Sequence, residues 1–261
     1  TDWADNLDEA ETCYRQIVQG ISQYEQVLLL CHDQKHQQYI AQVLGDTRNV
    51  NFVQLPYNDT WARDFGFITV MQGDKPILLD FTFNAWGGKF NAELDNAVNQ
   101  QLVKLPLLNG NTLQSHALVM EGGSLETDGQ GTLLTTEICL LNPNRNPSLD
   151  KATIEAQLRE TLGVERILWL ASGHLEGDDT AAHIDTLARF ADQQAIVYMS
   201  CDDPSDSHYS ALQAMQSELQ TLRQANGEPY RLFAIPLPAA IYADERRLPA
   251  SHVNFLIINT A

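Results

Sequence analysis

The residues with most to offer chemically lie in the run Gly177-Asp178-Asp179-Thr180-Ala181-Ala182-His183-Ile184-Asp185-Thr186-Leu187-Ala188-Arg189-Phe190. It opens as an acidic loop and closes as an alternating stretch that reads as a strand. Strand side chains repeat every second residue, which predicts His183 and Asp185 on one face and Ile184 and Phe190 on the other. An imidazole beside a carboxylate at the mouth of an acidic loop has the makings of a functional site.

Two further motifs fall at comparable places. Thr60-Trp61-Ala62-Arg63-Asp64-Phe65-Gly66 is one, and Glu121-Gly122-Gly123-Ser124 is the other, followed by a hairpin turn over Asp128-Gly129-Gln130-Gly131-Thr132. If equivalent positions converge on a centre, Asp64, Glu121, His183 and Asp185 gather there. Such a cluster has two chemical readings. Carboxylates and histidine could hold a divalent metal, as in a metallohydrolase built on His174, Glu176, Asp178, His183 and Asp185. Alternatively, two carboxylates could accept the forked donors of a guanidinium while the Trp61 indole covers its face.

The elements that must position these residues recur in a fixed order. A helix over Asp8 to Tyr24, a strand Val27–Cys31 and a helix from His36 to Leu44 closed by Gly45 come first. Strands at Val50 to Leu55, Leu113 to Met120, Arg166 to Leu170 and Arg231 to Leu237 are each followed by a polar or Gly-rich turn and a further strand. Those further strands are Arg63 to Val70, Ser124 to Thr127, His183 to Phe190 and Ser251 to Ile258. Hairpin partners follow at Pro76 to Phe81, Gly131 to Thr136 and Ala195 to Met199. Helices at Ala92 to Val103, Lys151 to Leu162 and Tyr209 to Gln224 close the units. The period of about 50–65 residues, in about four units of which one is incomplete, suits radial modules. No linker divides the chain, so residues 1–261 read as a single domain. Ser251 to Asn259 reads as the first strand of a hairpin whose partner is missing, so the natural protein is expected to continue.

Composition narrows the function classes. The 261 residues are 44% hydrophobic, enough for a substantial core, and no apolar run approaches the roughly 20 residues of a membrane helix. Thr1-Asp2-Trp3-Ala4-Asp5 has no signal-peptide pattern. A net charge of −18 disfavours nucleic acid and suits a cationic small molecule. Cys13, Cys31, Cys139 and Cys201 are widely spaced, which argues against a zinc motif or disulfide framework and fits a cytoplasmic location.

The chain resembles the agmatine deiminase and bacterial peptidylarginine deiminase family. The matching stretches are Asp59 to Asp64, Glu121 to Thr136, Leu140 to Pro147, Gly177 to Phe190 and Ser251 to Phe255. The resemblance implies a five-module pseudo-symmetric α/β propeller of the pentein type, here incomplete at both ends, whose centre binds a guanidine. It implies that Asp64 and Asp185 grip the guanidinium, that His183 is the general acid and base, and that Glu121 orients it. Asp179 would meet the far amine of agmatine, and Trp61 would line the pocket. The implied partner is agmatine or an arginine peptide, with no metal or other cofactor; a homo-oligomer is compatible.

The implied reaction is attack of a cysteine thiolate on the guanidinium carbon, loss of ammonia and hydrolysis of the thiouronium. The family's nucleophile sits in a C-terminal Gly-rich segment ending His-Cys, and no such segment occurs here. These residues alone are therefore expected to be inactive. The family's opening Trp-Pro strand is also absent. Each of the four cysteines is expected to be a buried structural thiol. Phe67 replaces the usual proline after Gly66, and Ala181-Ala182 replaces an Asp-Gly or Asn-Gly pair.

Overall fold

The computed structural model describes residues 4–258, so Thr1 to Trp3 and Asn259 to Ala261 lie outside the described residues. The described residues divide into two compact units, one formed by residues 4–57 with 256–258 and the other by 58–255. In the smaller unit, helix α1 (Leu7–Ile21) precedes strand β1 (Val27–Cys31), helix α2 (Gln34–Leu44) and strand β2 (Val50–Gln54). β1 and β2 pair in parallel. Asp33 caps α2 by accepting from the His36 N–H at 2.8 Å. Gly45 closes the helix at φ 71°, a conformation that costs a side chain dearly.

The larger unit repeats one topology three times. β3 (Ile68–Gln72), β4 (Lys75–Thr82) and β5 (Thr112–Val119) form the first sheet. β6 (Glu126–Thr127), β7 (Thr132–Thr136) and β8 (Arg166–Leu170) form the second, and β9 (Ala188–Asp192), β10 (Ala195–Ser200) and β11 (Arg231–Pro236) the third. In every sheet the first two strands form an antiparallel hairpin and the third joins in parallel. A parallel partner requires a crossover, and helices α3 (Glu93–Leu102), α4 (Lys151–Leu162) and α5 (Tyr209–Thr221) lie in those crossovers. A two-residue hairpin, β12 (Tyr242–Ala243) and β13 (Arg246–Arg247), follows. The mixed α/β class and the recurring unit agree with the sequence. Among the described residues the sheets remain separate and none closes on itself.

The central strands of the hairpins are the most buried. Leu133 and Leu134 on β7 face opposite ways, so one packs with Leu79, Ile154 and Leu158 and the other with Leu170, Ile184 and Ile196. Fully burying each such side chain contributes roughly 1.5–3 kcal/mol.

Four expected strands are corrected. Arg63 to Val70 begins with a helical turn, Ala62–Phe65, before β3. The His183 to Phe190 stretch begins with a 3₁₀ turn, Ile184–Thr186, and becomes a strand only at Ala188. Gly122–Ser124 is likewise a 3₁₀ turn ahead of a two-residue strand. Local side-chain bonds explain the last two turns, because Ser124 and Thr186 each donate to the carbonyl three residues back, at 2.6 and 2.9 Å. No strand forms over residues 251–258, and Asn259 lies outside the described residues.

Candidate active site

The three single turns just described carry the acidic and imidazole groups. Each precedes the first strand of its sheet, and the Gly122–Ser124 turn packs against the other two. Asp64 lies on the first turn. Glu121 immediately precedes the second, as His183 does the third, and Asp185 lies within the third. All four are buried, Glu121 completely. The convergence read from sequence is therefore present, on helical turns rather than on strand faces.

Gly123 sits where three of the groups meet. A Cβ built there would lie 2.5 Å from His183 Nδ1, 2.7 Å from Asp64 Oδ1 and 2.8 Å from Asp185 Oδ2. Gly122 is confined differently, since its Cβ would lie 2.0 Å from the Arg63 carbonyl oxygen. Neither glycine needs a left-handed φ. Lack of a side chain, not turn geometry, is what the site requires of this pair.

Each charged group has a defined surrounding. The Gly123 N–H and the Trp86 indole N–H donate to the two oxygens of Asp64, both at 2.9 Å. The turn holding Asp64 is anchored by Asn99 of α3, which donates to the Phe65 carbonyl at 2.8 Å and accepts from the Phe67 N–H at 3.0 Å. One turn earlier on the same helix, Asp95 accepts from the Asn58 N–H at 2.7 Å.

His183 lies between two carboxylates. Its Nδ1 is 3.6 Å from Asp64 and its Nε2 3.7 Å from Glu121, charge contacts longer than hydrogen bonds. Burial alone would lower the imidazole pKa, but the Asp64 and Glu121 carboxylates and Cys139 raise it well above the usual histidine value. Burial alone would raise Glu121, yet His183 and the Arg145 guanidinium hold it below the usual carboxylate range. Asp185 goes the other way. Burial pushes its pKa up to about 6, against the pull of His183. No donor among the described residues reaches its buried Oδ1, so one carboxylate oxygen inside the site lacks a partner.

Trp61 and Asp179 are not brought into this cluster. Trp61 is 47% exposed at the start of the first turn. Asp179 is exposed and pairs with Arg246 at 3.0 Å, which leaves it partly neutralised. The metallohydrolase set is not assembled either. Among the described residues, the ligand-type side chains that approach one another as a trio are Glu121, Cys139 and His183. Cys31, Cys139 and Cys201 are buried thiols as expected, whereas Cys13 is exposed; none forms a disulfide.

Two neighbours went unrecognised in the sequence. Arg145 is buried and its Nε donates to both Glu121 oxygens at 2.9 Å, while an Nη donates to the Thr180 carbonyl at 2.7 Å. Its motif, Asn142-Pro143-Asn144-Arg145-Asn146-Pro147, stood out, and the one arginine amid asparagines and prolines was the available signal. Trp86 has none, because its indole is delivered by a run of positive φ over Ala85, Trp86, Gly87 and Gly88.

A sequence model of the Porphyromonas-type peptidyl-arginine deiminase family matches residues 1–261. The chain belongs to that family. It is 34% identical over 283 residues to an agmatine deiminase of Stutzerimonas stutzeri (strain A1501), covering 98% of this chain and 75% of that protein. A cysteine-to-serine variant of the C. jejuni agmatine deiminase, with substrate bound, superposes with a TM-score of 0.91 at 42% identity. That match covers 100% of this chain and 74% of the other. An agmatine deiminase of Enterococcus faecalis matches with a TM-score of 0.81 at 27% identity, over 95% of this chain and 71% of that one. Among the described residues no helix is long and apolar enough to cross a membrane.

Proposed function

We propose that this protein is a hydrolase of guanidine C–N bonds whose substrate is agmatine, converted to N-carbamoylputrescine and ammonia. The observation that carries this reading is the partnerless Oδ1 of Asp185, buried beside Asp64, His183 and Glu121. A planar cation with forked donors satisfies that oxygen and the remaining lone pairs of Asp64 together. The C. jejuni agmatine deiminase, solved with its substrate, supports the choice of ligand.

In the proposed reaction Asp64 and Asp185 hold the guanidinium nitrogens. A cysteine thiolate adds to the guanidinium carbon, and the C–N bond breaks as His183, whose hold on a proton its carboxylate neighbours strengthen, gives that proton to departing ammonia. Neutral His183 then takes a proton from the water that hydrolyses the thiouronium, returning the thiolate. None of Cys13, Cys31, Cys139 or Cys201 follows the Gly-rich turn expected of the nucleophile. The five-module propeller, the cytoplasmic location and the roles of Trp61 and Asp179 belong to the same proposal.

The test, which like every kinetic measurement below uses the complete natural protein, is ammonia release from agmatine, free arginine and an arginine peptide, with agmatine binding followed by calorimetry. Release from agmatine supports the proposal, and release from the peptide alone moves the substrate to peptidyl arginine. Binding without release leaves a non-catalytic guanidine-binding protein, and neither binding nor release overturns the reading.

A further inference from the structure

Cys139 is a buried thiol that the proposed reaction leaves unused. It lies within a short helical turn, Glu137–Leu140, that follows β7, and Thr136 caps that turn by accepting from the Cys139 N–H. Its sulfur lies 4.0 Å from Glu121 Oε2 and 4.0 Å from the Thr180 carbonyl, at the outer limit of a thiol contact. His183 Nε2, aimed at the same carboxylate oxygen from 3.7 Å, is buried without a hydrogen-bond partner among the described residues.

We propose that Glu121, Cys139 and His183 form a binding site for a thiophilic divalent cation, with Zn²⁺ the best match, and that occupancy inhibits the enzyme. The metal site stands on geometry alone; the inhibition rests on the deiminase reading.

The three ligand atoms lie within 4.8 Å of one another. Zinc bonds of about 2.0–2.3 Å put tetrahedral ligand atoms roughly 3.3–3.8 Å apart, so the trio closes around an ion by shifts of about 1 Å or less. One sulfur, one imidazole nitrogen and one carboxylate oxygen are a zinc-type donor set that leaves a fourth position open.

The surroundings supply the outer contacts that metal ligands use. His183 turns its other nitrogen toward Asp64, the usual carboxylate partner of a metal-bound imidazole. Arg145 fixes Glu121 through Nε, and a carboxylate with about four acceptor sites retains room for the ion. Binding releases two protons to solvent, one from His183 Nε2 and one from the Cys139 thiol; the resulting thiolate with Asp64 and Asp185 offsets Arg145, which opposes a further cation. Inhibition follows because an ion on Nε2 removes His183 from proton transfer and ties up Glu121.

The probe is Co²⁺ alone, titrated into the purified protein without substrate. One equivalent should give tetrahedral d–d absorption with a sulfur-to-cobalt charge-transfer band, both displaced by Zn²⁺. Cys139→Ser should lose the charge-transfer band and weaken binding by at least the roughly 10–100-fold that loss of a mere outer-shell partner costs. In the ammonia assay Zn²⁺ should inhibit the parent, and Cys139→Ser, measured against its own metal-free rate, should need at least tenfold more Zn²⁺ for half-inhibition. Absence of the band in the parent, or an undiminished band in Cys139→Ser, overturns the site. Turnover insensitive to Zn²⁺ despite the band overturns the inhibition. Should the variant not fold, zinc-edge X-ray absorption on the parent decides, because a zinc shell without sulfur also overturns the proposal. A protein that turns over no agmatine can still show the cobalt band, so the two readings fail separately.

Discussion

Trp86 donates its indole N–H to Asp64 Oδ2 at 2.9 Å from a backbone in which Ala85 and Trp86 both have positive φ. Left-handed backbone costs a non-glycine residue roughly 1–2 kcal/mol. The turn is held by Asn84, which accepts from the Gly87 N–H at 2.9 Å and donates to the Asn144 carbonyl at 3.0 Å. Trp86→Phe keeps the aromatic packing on Phe83 and removes the donor. Hydrogen bonds to charged groups contribute about 1.5–3 kcal/mol, so kcat/KM for agmatine should fall roughly 10–100-fold. Unaltered kinetics would mean that the indole only fills space.

Arg145 and Glu121 are completely buried as a pair. Arg145→Met removes the guanidinium and leaves the buried Glu121 carboxylate facing only His183, which should destabilise the protein by about 3 kcal/mol. The midpoint of urea unfolding checks this. A shift below 1 kcal/mol would show that the pair adds little.

Asp185 makes stability and substrate binding depend on pH in opposite senses. Its pKa is raised from 3.8 to about 6 in the folded chain. The folded state therefore binds a proton more readily than the unfolded state, and stability falls as pH rises through that window. The accumulated loss above pH 6 is about 3 kcal/mol. Asp185→Asn should raise the urea midpoint at pH 8 and have little effect at pH 4. It should also abolish agmatine binding. In the parent, the increase in Tm given by agmatine should grow between pH 5 and 7 as Asp185 ionises, and a pH-independent increase would remove Asp185 from the clamp.

Gly123→Ala should remove activity with agmatine altogether, since the methyl would occupy the space between Asp64, His183 and Asp185. Retention of more than a tenth of kcat/KM would show that the turn can move aside.

Ala181 and Ala182 adopt φ of 65° and 62° in the loop that delivers His183. Asp178 holds that loop by accepting from the Thr180 and Ala182 N–H groups at 2.8 and 2.6 Å. Ala181→Gly should relieve the backbone and stabilise the protein by about 1 kcal/mol, read from denaturant unfolding. A loss of stability would place the strain elsewhere.

By itself the sequence determined the recurring unit and the identity of the buried acidic and imidazole groups. Short β-branched and apolar runs such as Thr132–Thr136 and capped periodic segments such as Lys151–Leu162 are local signals, set by residue type and by Asp150 and Gly163 at the helix ends. What tertiary structure decided was how those groups are presented. His183-Ile184-Asp185 alternates like a strand, yet the Thr186 hydroxyl bonds back to the His183 carbonyl and bends the segment into a turn. The pairing of Glu121 with Arg145 spans 24 residues, and that of Trp86 with Asp64 spans 22. Neither spacing is a helix or strand repeat, so no periodicity encodes it. Gly122 and Gly123 look like turn residues in sequence; only the approach of Arg63, Asp64, His183 and Asp185 from other parts of the chain shows that their missing side chains make room for the site.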